Sequence, residues 1–98
     1  MAIPGLRSRE EIAADIWGIT PDQICQKRER TRKREVVEAR MTLMWHRNQR
    51  LNMSQAKAAE KYGLTHCATI HACKMVSSLI VSDKNFASRF ERFCKMVS

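Results

Sequence analysis

Histidine and cysteine are the side chains best suited to chemistry in this sequence, and most of them gather in one short stretch. His66, Cys67, His71 and Cys73 fall within Asn52–Val76, which reads NMSQAKAAEKYGLTHCATIHACKMV. A metal site on a helix needs ligands that face the same way. His66 and His71 are five residues apart and Cys67 and Cys73 six, so neither pair does. No metal is expected. The other two cysteines, Cys25 and Cys94, lie far away, and none of the four forms a C-x-x-C pair. Reduced thiols are therefore expected rather than a disulfide framework. No carboxylate pair stands on a shared face, and the cysteines and histidines have no visible orienting partner. The chain reads as a non-enzyme with no cofactor.

Phosphate binding is the chemistry that the residue types do favour. Between Lys27 and Arg34 six of eight positions are basic, namely Lys27, Arg28, Arg30, Arg32, Lys33 and Arg34, interrupted by Glu29 and Thr31. The whole chain of 98 residues carries a net charge of +8. Such an excess says nothing about fold, but it favours a polyanionic partner such as nucleic acid or an acidic membrane surface. Runs of like charge are commonly solvated loops. This one lies beside a helical hairpin suited to a nucleic-acid groove, which makes phosphate contact the better reading. Glu29, Glu35 and Glu38 temper the field and are expected to fix local geometry through ion pairs.

The elements that position these residues read as helices. With 44% hydrophobic and 29% charged residues, the composition is that of one globular domain. Met1–Arg7 forms an irregular lead, and 8–98 a single domain. Ser8-Arg9-Glu10-Glu11 matches a capping box and opens a helix whose Ile12, Ala13, Ile16 and Trp17 face a core, ending at Gly18. Thr20-Pro21-Asp22-Gln23 is a second capping box, with Ile24 and Cys25 as the buried residues of a short helix. A long helix runs from about Glu35 to Gln49. Val37, Met41, Met44 and Trp45 form its apolar face, broadened by Val36 and Leu43, while Arg40, Arg47 and Arg50 lie on the polar side.

Ser54 caps a short helix to Tyr62, with Ala58, Ala59 and Tyr62 on one face, and Gly63 ends it. Thr65 caps a second helix, in which Ile70, Cys73, Val76 and Ile80 recur at helical spacing and which runs on to about Val81. Two helices joined by a glycine turn make a helix-turn-helix over about 54–81, a pattern that places the start of its second helix in the major groove of DNA. Ser82 or Asp83 caps a final packing helix over about 84–97, with Phe86, Phe90, Phe93 and Val97 as its stripe. The fold class is all-α, a compact multi-helix domain. No apolar run approaches the roughly 20 residues of a membrane span, and the N-terminus lacks the apolar core of a signal peptide.

The order of helix, TPDQI turn, basic loop, long helix and helix-turn-helix resembles the C-terminal DNA-binding domain of the bacterial replication initiator DnaA, over roughly Glu11 to Val81. That domain belongs to the Trp-repressor-like group of helical folds. HCATIHACKMV is similar to a family signature close to H-[ST]-T-V-L-H-A-x-[KR]-K-I. His66, His71, Ala72 and Lys74 match it outright, and Ile70 and Val76 match in character. KREVVEARMTLMW is similar to the family's basic loop and the R-Q-x-A-M segment after it, which places Arg40 on the family's arginine. Ser54 and the Tyr62-Gly63 pair also fall where the family has them.

The resemblance implies that Arg40 enters the minor groove, that His66 reads bases in the major groove, and that His71 holds a phosphate. The interface then comprises the basic loop, Arg40, Ser54, Thr65, His66, Cys67, His71 and Lys74. This chain departs from the family just before the histidine, where Gly-Gly-Arg-Asp becomes Gly63-Leu64-Thr65. The two hydroxyl residues after the histidine become Cys67 and Ala68. Duplex affinity with altered or relaxed sequence preference is therefore expected, in a cytoplasmic, nucleoid-associated protein of replication initiation or its regulation. A second reading makes the chain a protein-interaction module, with Leu64, Cys67 and Ala68 in an apolar contact surface. RNA binding is disfavoured, because only 6% of residues are aromatic and no stacking platform is evident.

Overall fold

Local capping chemistry sets where the first two helices begin. The Ser8 hydroxyl accepts from the Glu11 amide at 3.1 Å, opening α1 (Arg9–Trp17). At its end Gly18 takes φ +70°, with Gly18 N–H donating to Asp15 O and Ile19 N–H to Ala14 O. These two bonds are those of a Schellman cap, which satisfies carbonyls that a helix end leaves free. Thr20 and Gln23 then form a reciprocal capping box: the Gln23 carbonyl accepts from the Thr20 amide at 2.9 Å, and the Thr20 hydroxyl accepts from the Gln23 amide at 3.3 Å. The helix so opened is α2 (Pro21–Cys25).

The computed structural model describes residues 8–25 and 34–97. The lead Met1–Arg7 and the basic residues Lys27, Arg28, Arg30, Arg32 and Lys33 lie outside the described residues, as does the side chain of Cys25. The chain resumes in α3 (Arg34–Trp45), which continues through a π-helical turn, His46–Arg50. The remaining helices are α4 (Gln55–Glu60), α5 (His66–Ser82) and α6 (Lys84–Val97). The described residues are all-helical, without a strand. None of their helices is long and apolar enough to cross a membrane.

The last helix closes the core through its aromatic stripe. Asp83 caps α6 by accepting from the Asn85 and Phe86 amides. Phe86 meets Trp17 of α1 at 6.2 Å between ring centroids, Phe90 meets Trp45 at 4.7 Å, and Phe93 meets His46 edge-on at 5.5 Å. Tilted and edge-to-face pairs of this kind add to the area that the rings bury. Phe86 and Phe93 are fully buried, with Ile12, Ala13, Trp17, Ile24, Leu43 and Val76 in the same core.

Two faces differ from the sequence expectation. In α3 the buried side is carried by Val36, Ala39, Leu43 and Met44, with Met41 also inside, whereas Val37 is 37% exposed. In α5 the buried residues are Thr69, Ala72 and Val76, while Ile70 and Ile80 are 36% and 39% exposed. The reason is steric. α5 packs against α3 and α4, and α4 presents the fully buried Ala58 and Ala59. Small residues on both sides of that seam allow close approach, which a ridge of isoleucines would prevent. The Thr69 hydroxyl completes the join by donating to Gln55 O at 2.7 Å.

Candidate nucleic-acid interface

Positioning of the candidate face begins at Ser54, whose hydroxyl accepts from the Lys57 amide at 3.2 Å and so starts α4. The chain leaves α4 through Lys61 and Tyr62 to Gly63 at φ +70°. Gly63 N–H donates to Glu60 O and Leu64 N–H to Ala59 O, the same cap geometry as at Gly18. Tyr62 is 1% exposed, and its hydroxyl donates to Glu10 at 3.3 Å. Lys61 reaches the same carboxylate at 2.6 Å. Burial pushes the Glu10 carboxyl up, but the Lys61 ammonium and further hydrogen bonds outweigh it and hold the group below its ordinary range. The turn before α5 is thereby tied to the first helix of the fold.

α5 starts after Thr65, which takes the extended N-cap conformation but makes no side-chain capping bond. His66, Cys67, Ile70, His71 and Lys74 are exposed. Cys67, His71 and Lys74 follow spacings of four and three and so share one side of the helix, away from Thr69, Ala72 and Val76. The Cys67 sulfur stands 3.6 Å from His66 Nε2. Cys73 is half-buried and takes a weak contact from Gln49 at 3.9 Å. Burial pushes its thiol up, as it does the Cys94 thiol.

The two described arginines of the expected interface, Arg34 and Arg40, are engaged within the protein. Arg40 is half-buried on α3, and its guanidinium donates to Ile24 O at 2.7 Å and Gln23 O at 3.0 Å. It thereby binds the carbonyl end of α2, from which the basic segment departs. Arg34 donates to Glu38 at 2.6 Å and pairs with Asp83. The structure thus brings Thr65, His66, Cys67, His71 and Lys74 together on the first turns of α5, with Ser54 at the start of the preceding helix. Arg34 and Arg40 serve contacts between helices. Sequence reasoning passed over His46 and the partners of Arg40, because these join positions far apart in the chain.

No family model matches this chain, and no solved structure matches it. The chain is similar to the chromosomal replication initiator protein DnaA of Flavobacterium psychrophilum, with 34% identity over 70 residues. The match covers 70% of this chain and 15% of that protein. An all-helical chain carrying a segment similar to part of DnaA is what the fold and this likeness together establish.

Proposed function

We propose that the protein is a non-enzymatic double-stranded DNA-binding module, in which α4 and α5 form a helix-turn-helix of the DnaA C-terminal-domain type. The carrying observation is the outward face of α5, where His66, Cys67, His71 and Lys74 are all exposed at the start of a 17-residue helix. A helix N-terminus favours anions through its oriented amides, and its first side chains can reach base edges. In this reading His66 and Thr65 contact bases, His71 and Lys74 contact phosphates, and the basic residues Lys27–Lys33 lie along the backbone. Arg40 acts indirectly, by fixing the end of α2 from which that basic segment springs.

One observation favours a second reading. Leu64 is 39% and Ile70 36% exposed beside Cys67, an apolar element at the tip of α5 suited to a protein partner.

Fluorescence anisotropy with a random-sequence duplex library, at low and at moderate salt, separates the two. The expected result is tight low-salt binding with a selected motif that His66→Ala relaxes. Absence of binding at low salt overturns the DNA reading and leaves the apolar tip as the site.

A further inference from the structure

A recess of about 500 Å³ lies between the start of α1, the π turn and the end of α6, lined by Arg9, His46, Arg50, Leu51, Glu91, Cys94, Lys95 and Val97. Its volume is in the range of small-ligand clefts, about 300–1,000 Å³. Among the described residues that line it, three are cations and one is a carboxylate. Glu91 is held by Lys95 at 3.2 Å. Among the described residues, no carboxylate pairs with Arg9 or Arg50. The Arg50 guanidinium lies over the Trp45 ring, 5.7 Å from its centroid and within cation–π range.

The second, independent observation is His46. Only 6% of it is exposed, its ring packs edge-on against Phe93, and its Nδ1 is buried with no hydrogen-bond partner. A buried polar atom left unpaired in a folded protein calls for an occupant. Among the described residues no carboxylate pairs with His46, and the charges that act on it are those of Arg9 and Arg50. Burial, and after it the charges of Arg9 and Arg50, push the imidazole below its ordinary range. Such surroundings are unfavourable for an empty site and suited to one filled by an anion.

We propose that this recess is a second anion site, taking a phosphoryl group between Arg9, Arg50 and Lys95 with the Nδ1–H of His46 as a buried donor. Arginine forks match the oxygens of phosphate in pairs, while lysine acts as a point charge. The apolar edges, Leu51 and Val97, leave room for the group to which the phosphate is attached. The site is built from α1, the π turn and α6, separately from the outward face of α5, so it does not rest on the function proposed above.

The test is NMR titration of the full chain with inorganic pyrophosphate at constant ionic strength, reading the His46 ring and the Arg9, Arg50 and Lys95 resonances. Saturable shifts confined to these residues are expected, with a rise in the apparent pKa of His46 on saturation. The double variant Arg9→Gln/Arg50→Gln should weaken binding by at least about tenfold, since each lost charge-assisted contact removes about 1.5–3 kcal/mol. Should that variant fail to fold, Lys95→Gln provides the same reading at the opposite wall. A parallel titration with non-specific duplex identifies the source. The same shifts, together with weaker duplex binding by the double variant, assign the phosphoryl group to a nucleic-acid backbone. Pyrophosphate shifts without duplex shifts assign it to a soluble phosphorylated ligand. No saturable shift at His46, or one unchanged in both variants, overturns the proposal.

Discussion

The carboxylate of Glu38 joins three helices through one residue. It is 5% exposed, accepts from the Trp17 indole at 3.1 Å and from Arg34 at 2.6 Å, and has the Arg89 guanidinium at 4.0 Å. Arg34 extends the chain of contacts to Asp83, which caps α6. A buried charge is tolerated because it is paired and hydrogen-bonded, and removing it leaves the Trp17 N–H orphaned in the core. Glu38→Ala should therefore lower the unfolding free energy by about 2–3 kcal/mol, seen as a lower urea midpoint by tryptophan fluorescence. Glu38→Gln should lose less, because its amide oxygen still accepts from the indole. An unchanged midpoint for the alanine variant would mean that the network adds nothing. Only part of this was legible in the sequence: Arg34 and Glu38 are four apart on one helix, so their pairing follows from spacing. Trp17 lies 21 residues from Glu38, and Asp83 lies 49 from Arg34. Those meetings are set by tertiary packing. The cluster of Arg9, His46, Arg50 and Lys95 was invisible for the same reason.

At the scale of elements, boundaries were readable and faces less so. Ser8, Thr20 with Gln23, Ser54, Asp83 and the two glycines act through backbone groups within a few residues, and each stands where its type predicts. The faces of α3 and α5 depend instead on which neighbour arrives. Isoleucine at 70 beside threonine at 69 looks equivalent until Ala58 and Ala59 come close, and valine at 36 or 37 looks equivalent until the neighbours of α3 are in place. Gly63 tests how far the candidate interface depends on such a boundary. Its φ of +70° costs an L-residue with a Cβ about 1–2 kcal/mol, and the two cap bonds there set the direction in which α5 departs. Gly63→Ala should lower stability by about 1 kcal/mol in thermal unfolding, whereas Gly63→Asn should lose less because asparagine tolerates this region. If α5 is the reading helix, duplex affinity should fall in the alanine variant by more than the stability change alone would give. Equal stability of alanine and wild type would remove the turn as a constraint.

For the whole molecule, the formal charge of +8 overstates what a polyanion would meet. The described residues occupy about 35 × 30 × 27 Å, and the Debye length near 0.1 M salt is about 10 Å. Charges on the far side of such a body are screened from a bound duplex. Two cations are also paired within the fold: Arg34 by Glu38 and Asp83, and Lys61 by Glu10. Counterion release should then come chiefly from Lys27–Lys33 together with Lys74. If these neutralise about six phosphates, affinity should fall about a thousandfold between roughly 50 and 200 mM salt, because the logarithmic slope is about −0.9 per phosphate. Changing Lys27, Arg28 and Arg30 together to glutamine should reduce that slope by nearly three and weaken all duplexes alike. Arg34→Gln belongs to the same basic run but should leave the slope almost unchanged, since two carboxylates already hold its guanidinium. Binding isotherms over a salt series decide between these assignments. A slope lowered equally by Arg34→Gln and by each of the loop residues would mean that Arg34 leaves its carboxylates for the backbone. A slope untouched by the triple variant would move phosphate contact away from the basic run and onto the helices themselves.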